Sequence, residues 1–312
     1  MSGANKPKII QIVGPTASGK TGFSVRLTEA LEGELINVDS MQVYCELAVG
    51  TDKPTPEQCA RVPVHGINLI HLGPPMDASV FGDYVRQKID EITSRGRCAV
   101  VSGGTGLYHR AIVHGLIEAP SRNDEIRARL RAERDQIGIA AMYERLQQID
   151  PTGAEKIYST DWVRIERALE VYETTGRTLS SAQAEHGFKQ DYVDRLAFGC
   201  IMPRPMLYQK IESRLDVMWN EGIIEETRMM LDAGLPLDQL PLKALGYKQA
   251  AMFLTGQCSR EEALDLAKRD TRRFAKRQIT WFKTDSAIQW INMPVDDAQF
   301  DNIVQKCREF LA

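Results

Sequence analysis

No stretch of this chain is apolar for long enough to cross a bilayer as a helix. Met1 to Lys8 is short and polar and lacks the apolar core of a signal peptide. A cytoplasmic protein with no membrane partner is therefore expected. Charge of one sign is also missing. Lys and Arg number 39 against 42 Asp and Glu, and the net charge of −3 excludes a uniformly basic surface. Any contact with nucleic acid must be a local patch. Cysteine is sparse: Cys45, Cys59, Cys98, Cys200, Cys258 and Cys307 are scattered and form no C-x-x-C pair. That excludes a disulfide framework and a zinc site. Cys98 and Cys200 lie in apolar, strand-like runs and read as buried thiols. The histidines form no H-E-x-x-H, and His65 and His71, flanking Ile67 to Ile70, read as structural or surface residues. No internal repeat or low-complexity segment is present. What remains, 43% apolar and 26% charged residues over 312 positions, suits one large globular domain plus a smaller one.

The most informative stretch is Gly14-Pro15-Thr16-Ala17-Ser18-Gly19-Lys20-Thr21, which fits G-x-x-x-x-G-K-[ST] at every fixed position. Ile9, Ile10, Ile12 and Val13 precede it as a buried strand. Phe23, Val25, Leu27, Ala30 and Leu31 follow at helical spacings. A glycine-rich turn between strand and helix directs backbone N–H groups inward over the positive end of the helix dipole. Lys20 adds a point charge for an outer phosphate, and Thr21 has the hydroxyl that reaches a magnesium ion in such loops. The loop specifies a diphosphate or triphosphate without naming the molecule that carries it.

A second strand, Glu34 to Val38, runs into Asp39-Ser40-Met41-Gln42-Val43-Tyr44. In open parallel sheets ligands bind at the carboxyl ends of strands. Asp39 thus shares a rim with the phosphate loop, as a magnesium ligand through water, a general base or a helix cap. Gly50-Thr51-Asp52-Lys53-Pro54 and a helix start near Pro56 come next. An amphipathic helix opens at Asp77. A third buried strand, Cys98 to Val101, leads into Ser102-Gly103-Gly104-Thr105-Gly106-Leu107-Tyr108. This second glycine-rich turn is weak evidence alone but should reach the same rim.

Composition shifts at Ala119-Pro120-Ser121-Arg122-Asn123, and the pattern is then helical to about Val193. Helices are expected over Asp124 to Arg134, over Ile139 to Ile149, and from near Asp161 to Gly176. The expected organisation is an α/β core of residues 1–118 and 196–312 with an all-helical insertion over 119–195. The sheet resumes at Leu196. A helix starts at Pro205, another opens around Leu242 to Gln249, and a strand, Ile288 to Ile291, precedes a last amphipathic helix. Between them, Lys268, Arg269, Arg272, Arg273, Lys276, Arg277 and Lys283 face a single acid, Asp270. Such a run is either a solvated face or a contact for a phosphate backbone.

Two chemistries fit these residues: a P-loop small-molecule kinase or NTPase, and a transferase whose loop holds a diphosphate leaving group. No N-K-x-D motif is present, and no aspartate ends the third strand, where Ser102 and Gly103 follow Val101. The basic helix also has no task in a small-metabolite kinase.

The motifs resemble those of bacterial tRNA dimethylallyltransferases, in the same order over about residues 8 to 285. Besides the stretches quoted at 14–21, 39–44, 50–54 and 103–108, they include Arg164-Ile165-Glu166-Arg167-Ala168-Leu169-Glu170-Val171-Tyr172. They also include Leu245-Gly246-Tyr247-Lys248-Gln249 and Ala275-Lys276-Arg277-Gln278-Ile279-Thr280-Trp281-Phe282. Cys45 departs from the arginine usual after the tyrosine, and His65-Gly66-Ile67-Asn68-Leu69 is looser than usual.

The resemblance implies a P-loop NTPase-like parallel sheet flanked by helices. It also implies transfer of a dimethylallyl group from dimethylallyl diphosphate to N6 of the adenosine 3′ of the anticodon. The amides of residues 16 to 21 and Lys20 would hold the diphosphate, and Thr21 would bind Mg²⁺. Arg214 would be a second clamp on the leaving group, Asp39 the general base, and Thr105 a wall of the channel holding the acceptor base. Ser40, Met41 and Gln42 would read neighbouring bases. Arg127, Val163, Arg164, Ile165, Glu166 and Arg167 of the insertion, with Arg272, Lys276 and Arg277, would contact the RNA. The insertion would close over the anticodon stem as a mobile lobe. Thr16, Ser18 and Tyr108 would set the depth of the prenyl pocket. A monomer is expected.

Overall fold

The structure, a computed structural model, describes residues 6–117, 120, 122–187 and 191–312. Six strands form one wholly parallel sheet: β1 (Lys8–Val13), β2 (Glu34–Val38), β3 (Val64–His65), β4 (Ala99–Gly103), β5 (Asp194–Ile201) and β6 (Ile288–Asn292). Their order is β3-β2-β4-β1-β5-β6. β1 is central, with Ile10 opposite Val100 on one side and Leu196 on the other. A strand covered on both faces has no reason to alternate polar and apolar residues, which explains the run Ile9 to Val13. Ile9, Ile10, Ile12 and Val13 are all fully buried. Each such side chain contributes about 1.5–3 kcal/mol relative to exposure.

Successive residues of β1 serve different cores. Ile9 packs with the helices Ala78–Ser94 and Gly106–His114. Ile10 and Ile12 pack with Lys20–Ala30 and Asp297–Leu311. The helix that follows β1 therefore lies on one face and the helix that follows β4 on the other. Because β1 and β4 are neighbours, a crevice opens between their carboxyl ends, the place where ligands bind in open parallel sheets. Both glycine-rich turns lie there.

The chain divides into two compact units. One comprises the residues up to Val113 together with Tyr192–Ala312, and the other is His114–Asp191. β5 begins at Asp194, two residues before the expected Leu196. The composition shift at Ala119 and Ser121 lies outside the described residues. So do residues 1–5 of the polar N-terminus. Within His114–Asp191 the described residues form helices only: Asp124–Ile149, Pro151–Ala154, Trp162–Thr175 and Leu179–His186. Gly138, at φ 85°, breaks the first of these between the two stretches expected to be helical. Leu130, Met142, Leu146, Ile165 and Leu169 form this unit's own core. The short edge strand β3 and the helix Ile223–Asp232 were not anticipated.

Candidate active site

The phosphate loop leaves β1 and enters the helix Lys20–Ala30 through Gly19. Gly19 holds a left-handed φ of 84° and caps the helix without a side-chain acceptor. The amides of the first turn are therefore free of a side-chain cap and suited to an anion. Not every loop amide serves that purpose. The Thr16 amide donates to Gln278 Oε1 at 2.9 Å, and the Ser18 amide donates to the Pro15 carbonyl at 3.3 Å. The expectation that all amides of residues 16 to 21 face phosphate is corrected for these two, because protein oxygens already accept from them. Lys20 donates to the Pro15 carbonyl at 3.4 Å. Removal from water lowers its pKa, and the Asp39 carboxylate partly restores it.

Asp39 follows β2. Its Oδ1 accepts from the amides of Met41 at 2.8 Å and Gln42 at 3.4 Å. The capping role and a catalytic role are thus compatible, since one carboxylate oxygen suffices for the turn. Thr105 Oγ1 accepts from the Ser40 amide at 3.2 Å, tying the second glycine-rich turn to this one. Gln42 is buried and donates to the carbonyls of Thr51 and Asp52. Its side-chain N–H groups hold the Gly50 to Pro54 loop, so they are not free to read a base as expected.

Arg214, on the helix Arg204–Glu221, reaches the same place. Nη1 donates to Asp52 Oδ2 at 2.6 Å, and Nη2 donates to Thr16 Oγ1. The loop that carries Asp52 is itself held by Glu226. That carboxylate accepts from the amides of Ala48, Val49 and Gly50 and from the Tyr247 hydroxyl at 2.7 Å.

These residues converge on a cavity of about 430 Å³. Thr16, Lys20, Thr21, Asp39 and Arg214 line its polar side, with Ser40, Met41, Gln42 and Thr105. Leu215, Met218, Leu240, Leu245 and Phe274 supply an apolar part of the lining. Ser18 and Tyr108 are absent from this lining. Ser18 is fully buried, and the Tyr108 hydroxyl donates to the Met76 carbonyl at 2.9 Å. Neither therefore lines this cavity as expected.

Among the described residues no three His, Cys, Asp or Glu side chains cluster as a metal site. Thr21 supplies one hard oxygen at the loop. That donor set fits magnesium, which keeps several waters and takes other oxygens from a bound phosphate.

A model of the IPP transferase family matches residues 42–285, and one described as isopentenyl transferase matches residues 7–67. The chain belongs to the IPP transferase family. A tRNA dimethylallyltransferase 2 of Geotalea uraniireducens is 43% identical over 97% of this chain and 98% of its own length. A tRNA dimethylallyltransferase of Geobacter sulfurreducens is 43% identical over 96% and 95%. Among solved structures, a tRNA isopentenylpyrophosphate transferase of Bacillus halodurans superposes with a TM-score of 0.73. It is 36% identical, and the match covers 98% of this chain and 97% of that one. A eukaryotic dimethylallyltransferase acting on tRNA gives a TM-score of 0.76 at 26% identity, covering 96% and 77%. The expected P-loop NTPase-like fold is the fold observed.

In this IPP transferase the residues expected to meet RNA divide sharply. Of the helical unit, Val163 and Arg164 are exposed, whereas Ile165 and Glu166 are buried. Arg127 makes a two-pronged contact with buried Glu170, at 2.9 and 2.8 Å. Arg167 donates to the same carboxylate at 2.7 Å, and Arg131 donates to Glu166 at 2.7 Å. Burial of two carboxylates demands paired cations. Ile165, Glu166, Arg127 and Arg167 are therefore structural, correcting their expected contact with RNA. The basic helix, Arg260–Phe282, divides likewise. Lys268 pairs with Asp216 at 2.6 Å, and Arg272 pairs with Glu212 on the helix Arg204–Glu221. Arg272 is thus committed within the protein. Lys276 and Arg277 are exposed, and Arg277 lines the mouth of the cavity.

Gln278 and Glu226 hold the site's loops and were given no role by the sequence, whereas Gly104 lies in the second glycine-rich turn that was expected to reach this rim. Gln278 had a signal: it is a polar residue on the stripe Thr271, Ala275, Gln278 and Phe282, which repeats at helical spacing and is buried. Glu226 had none, since its partners are backbone amides of a distant loop.

Proposed function

We propose that this protein transfers a dimethylallyl group from dimethylallyl diphosphate to N6 of the adenosine 3′-adjacent to the anticodon in tRNA. The observation that carries this reading is the single cavity in which a phosphate loop, a carboxylate and an apolar wall face one another. A kinase needs the loop but not the apolar wall.

The remaining loop amides, Lys20 and Arg214 would hold the diphosphate. The N6 lone pair attacks C1 of the prenyl group, the C1–O bond breaks, and its electron pair leaves on the diphosphate. Negative charge grows there, so donors fixed in advance stabilise the transition state more than the ground state. The N6 proton passes to Asp39, which the turn through Met41 and Gln42 orients. An exocyclic adenine amine is a weak nucleophile, and a positioned base contributes about 10²–10⁴-fold. Thr21 would hold Mg²⁺ together with diphosphate oxygens, where the ion supplies positive charge to the leaving group. Leu215, Met218, Leu240, Leu245 and Phe274 offer the prenyl chain a dry surface. The target base must leave the loop stack, which costs only a few kcal/mol when it is already unpaired. Lys276, Arg277, Val163 and Arg164 are the candidate RNA contacts.

Among the described residues no helix is long and apolar enough to cross a membrane, in keeping with a cytoplasmic enzyme.

Incubation with unmodified tRNA, Mg²⁺ and prenyl-labelled dimethylallyl diphosphate tests this, with γ-labelled ATP in parallel. Label on the adenosine beside the anticodon is the expected result. Label moving only from ATP would instead make the protein a P-loop kinase.

A further inference from the structure

Gln278 makes both of its side-chain hydrogen bonds to the rim of the cavity. Oε1 accepts from the Thr16 amide of the phosphate loop at 2.9 Å, and Nε2 donates to the Gly104 carbonyl of the second turn at 2.9 Å. The residue is buried, and a Cβ added at Gly104 would lie 2.4 Å from Nε2. The amide is therefore clamped between two loops that arise from neighbouring strands. A buried amide with both ends satisfied has one low-energy position, and moving it breaks a bond on one side or the other.

The same helical turn has another face. Lys276 and Arg277 are exposed while Ala275, Gln278 and Phe282 point inward. One helix thus joins the basic face to the clamp. Thr16 extends the chain further, since its hydroxyl accepts from Arg214, the proposed clamp on the leaving group.

The geometry points to Gln278 as a positioning residue that couples RNA on the basic face to the affinity of the phosphate loop for diphosphate. This rests on the proposed function. RNA held by Lys276 and Arg277 fixes the helix, the helix fixes Gln278, and Gln278 fixes Thr16 and Gly104 in the arrangement that binds diphosphate. Linkage makes the effect mutual: diphosphate must tighten RNA binding by the same factor.

The test measures binding of inorganic diphosphate with Mg²⁺, with and without an unmodified anticodon stem–loop RNA. It uses the full chain and its Gln278→Ala and Gln278→Glu variants. In the wild type the RNA should tighten diphosphate binding by about 5-fold or more, the lower end of ordinary coupling. Gln278→Glu keeps the shape and the acceptor for Thr16 but cannot donate to Gly104. It should bring the ratio close to one while RNA binding without diphosphate stays within about 2-fold. Gln278→Ala should do the same. A ratio unchanged in Gln278→Glu would overturn the inference even if the alanine variant failed to fold. So would a wild-type ratio of one. Failure of the proposed function would show separately, as no prenyl label reaching RNA. A wild type that transfers label without coupling would sink only the role of Gln278.

Discussion

Asp52 occupies one prong of Arg214. The guanidinium Nη1 donates to Asp52 Oδ2 at 2.6 Å while Nη2 holds Thr16, so a carboxylate stands where a diphosphate oxygen would be expected to compete. Asp52 sits at φ 55°, a left-handed conformation that costs a residue with a side chain. The pairing gives Arg214 a partner in the protein and would place a negative charge beside a diphosphate held as proposed. Asp52→Asn should tighten inorganic diphosphate binding several-fold and lower kcat through slower product release. Calorimetry and a single-turnover against steady-state comparison check this. Arg214→Ala should lower kcat/KM for the donor by about 10²–10³, the usual effect of removing one donor to a developing anion.

Asp39→Asn separates the two roles of that side chain. The amide oxygen still accepts from Met41 and Gln42, so the turn survives, but it cannot take a proton at neutral pH. Turnover should fall by about 10²–10⁴-fold with both substrates bound within a few-fold of wild type. A rate near wild type in single-turnover assays would remove Asp39 as the base.

The arginines of the two units should respond differently to substitution. Lys276→Ala and Arg277→Ala should weaken tRNA binding and flatten its salt dependence by about 0.7–0.9 in logarithmic slope for each residue removed. Arg127→Ala should leave that slope unchanged. It should instead destabilise the helical unit by about 1–3 kcal/mol, because Glu170 loses two hydrogen bonds in a buried setting while keeping those from Arg167 and the Asn123 amide. Filter binding across a salt series and urea unfolding distinguish the outcomes.

His109 gives the core a pH dependence. Burial pushes its pKa down to about 3, and its Nδ1 lies 3.0 Å from Gln11 Nε2, which fits a neutral ring accepting there. The unfolded chain binds this proton near the ordinary histidine value of about 6.5. Between those two values the unfolded state holds more protons, so stability rises with pH. It should therefore be lost as pH falls from about 6.5 toward 3, with a slope of up to about 1.4 kcal/mol per pH unit from this group. His109→Asn, which retains an acceptor for Gln11, should reduce that slope in urea unfolding at a series of pH values.

Local patterns made much of the α/β unit legible. The run Ile9 to Val13 followed by a glycine turn specifies a buried strand and a phosphate loop through backbone sterics and hydrophobic burial, which neighbouring residues alone encode. β3 was missed because two residues carry no periodicity. The run from Lys268 to Lys283 was read as one charged face. Its acids, Asp216 and Glu212, lie on another helix and cannot be counted along the chain.

The arginines at 127 and 167 were misread for a related reason. Their helices carry charge on more than one face, and only packing reveals that Glu166 and Glu170 face inward. A cation that pairs with a buried carboxylate looks the same in sequence as one that awaits a phosphate.

The sequence by itself determined the phosphate loop, the strand-to-turn switches at Asp39 and Gly103, and the kind of anion the rim accepts. Each of these depends on residues within a few positions of one another, so short-range sterics and hydrogen bonding specify them. Tertiary structure alone decided that Gln278 and Glu226 serve that rim through its loops, and it supplied the contacts of Arg214 with Asp52 and Thr16. Their partners are more than 150 residues away in the chain. Such contacts exist only once burial of the two cores has brought distant helices to one end of the sheet.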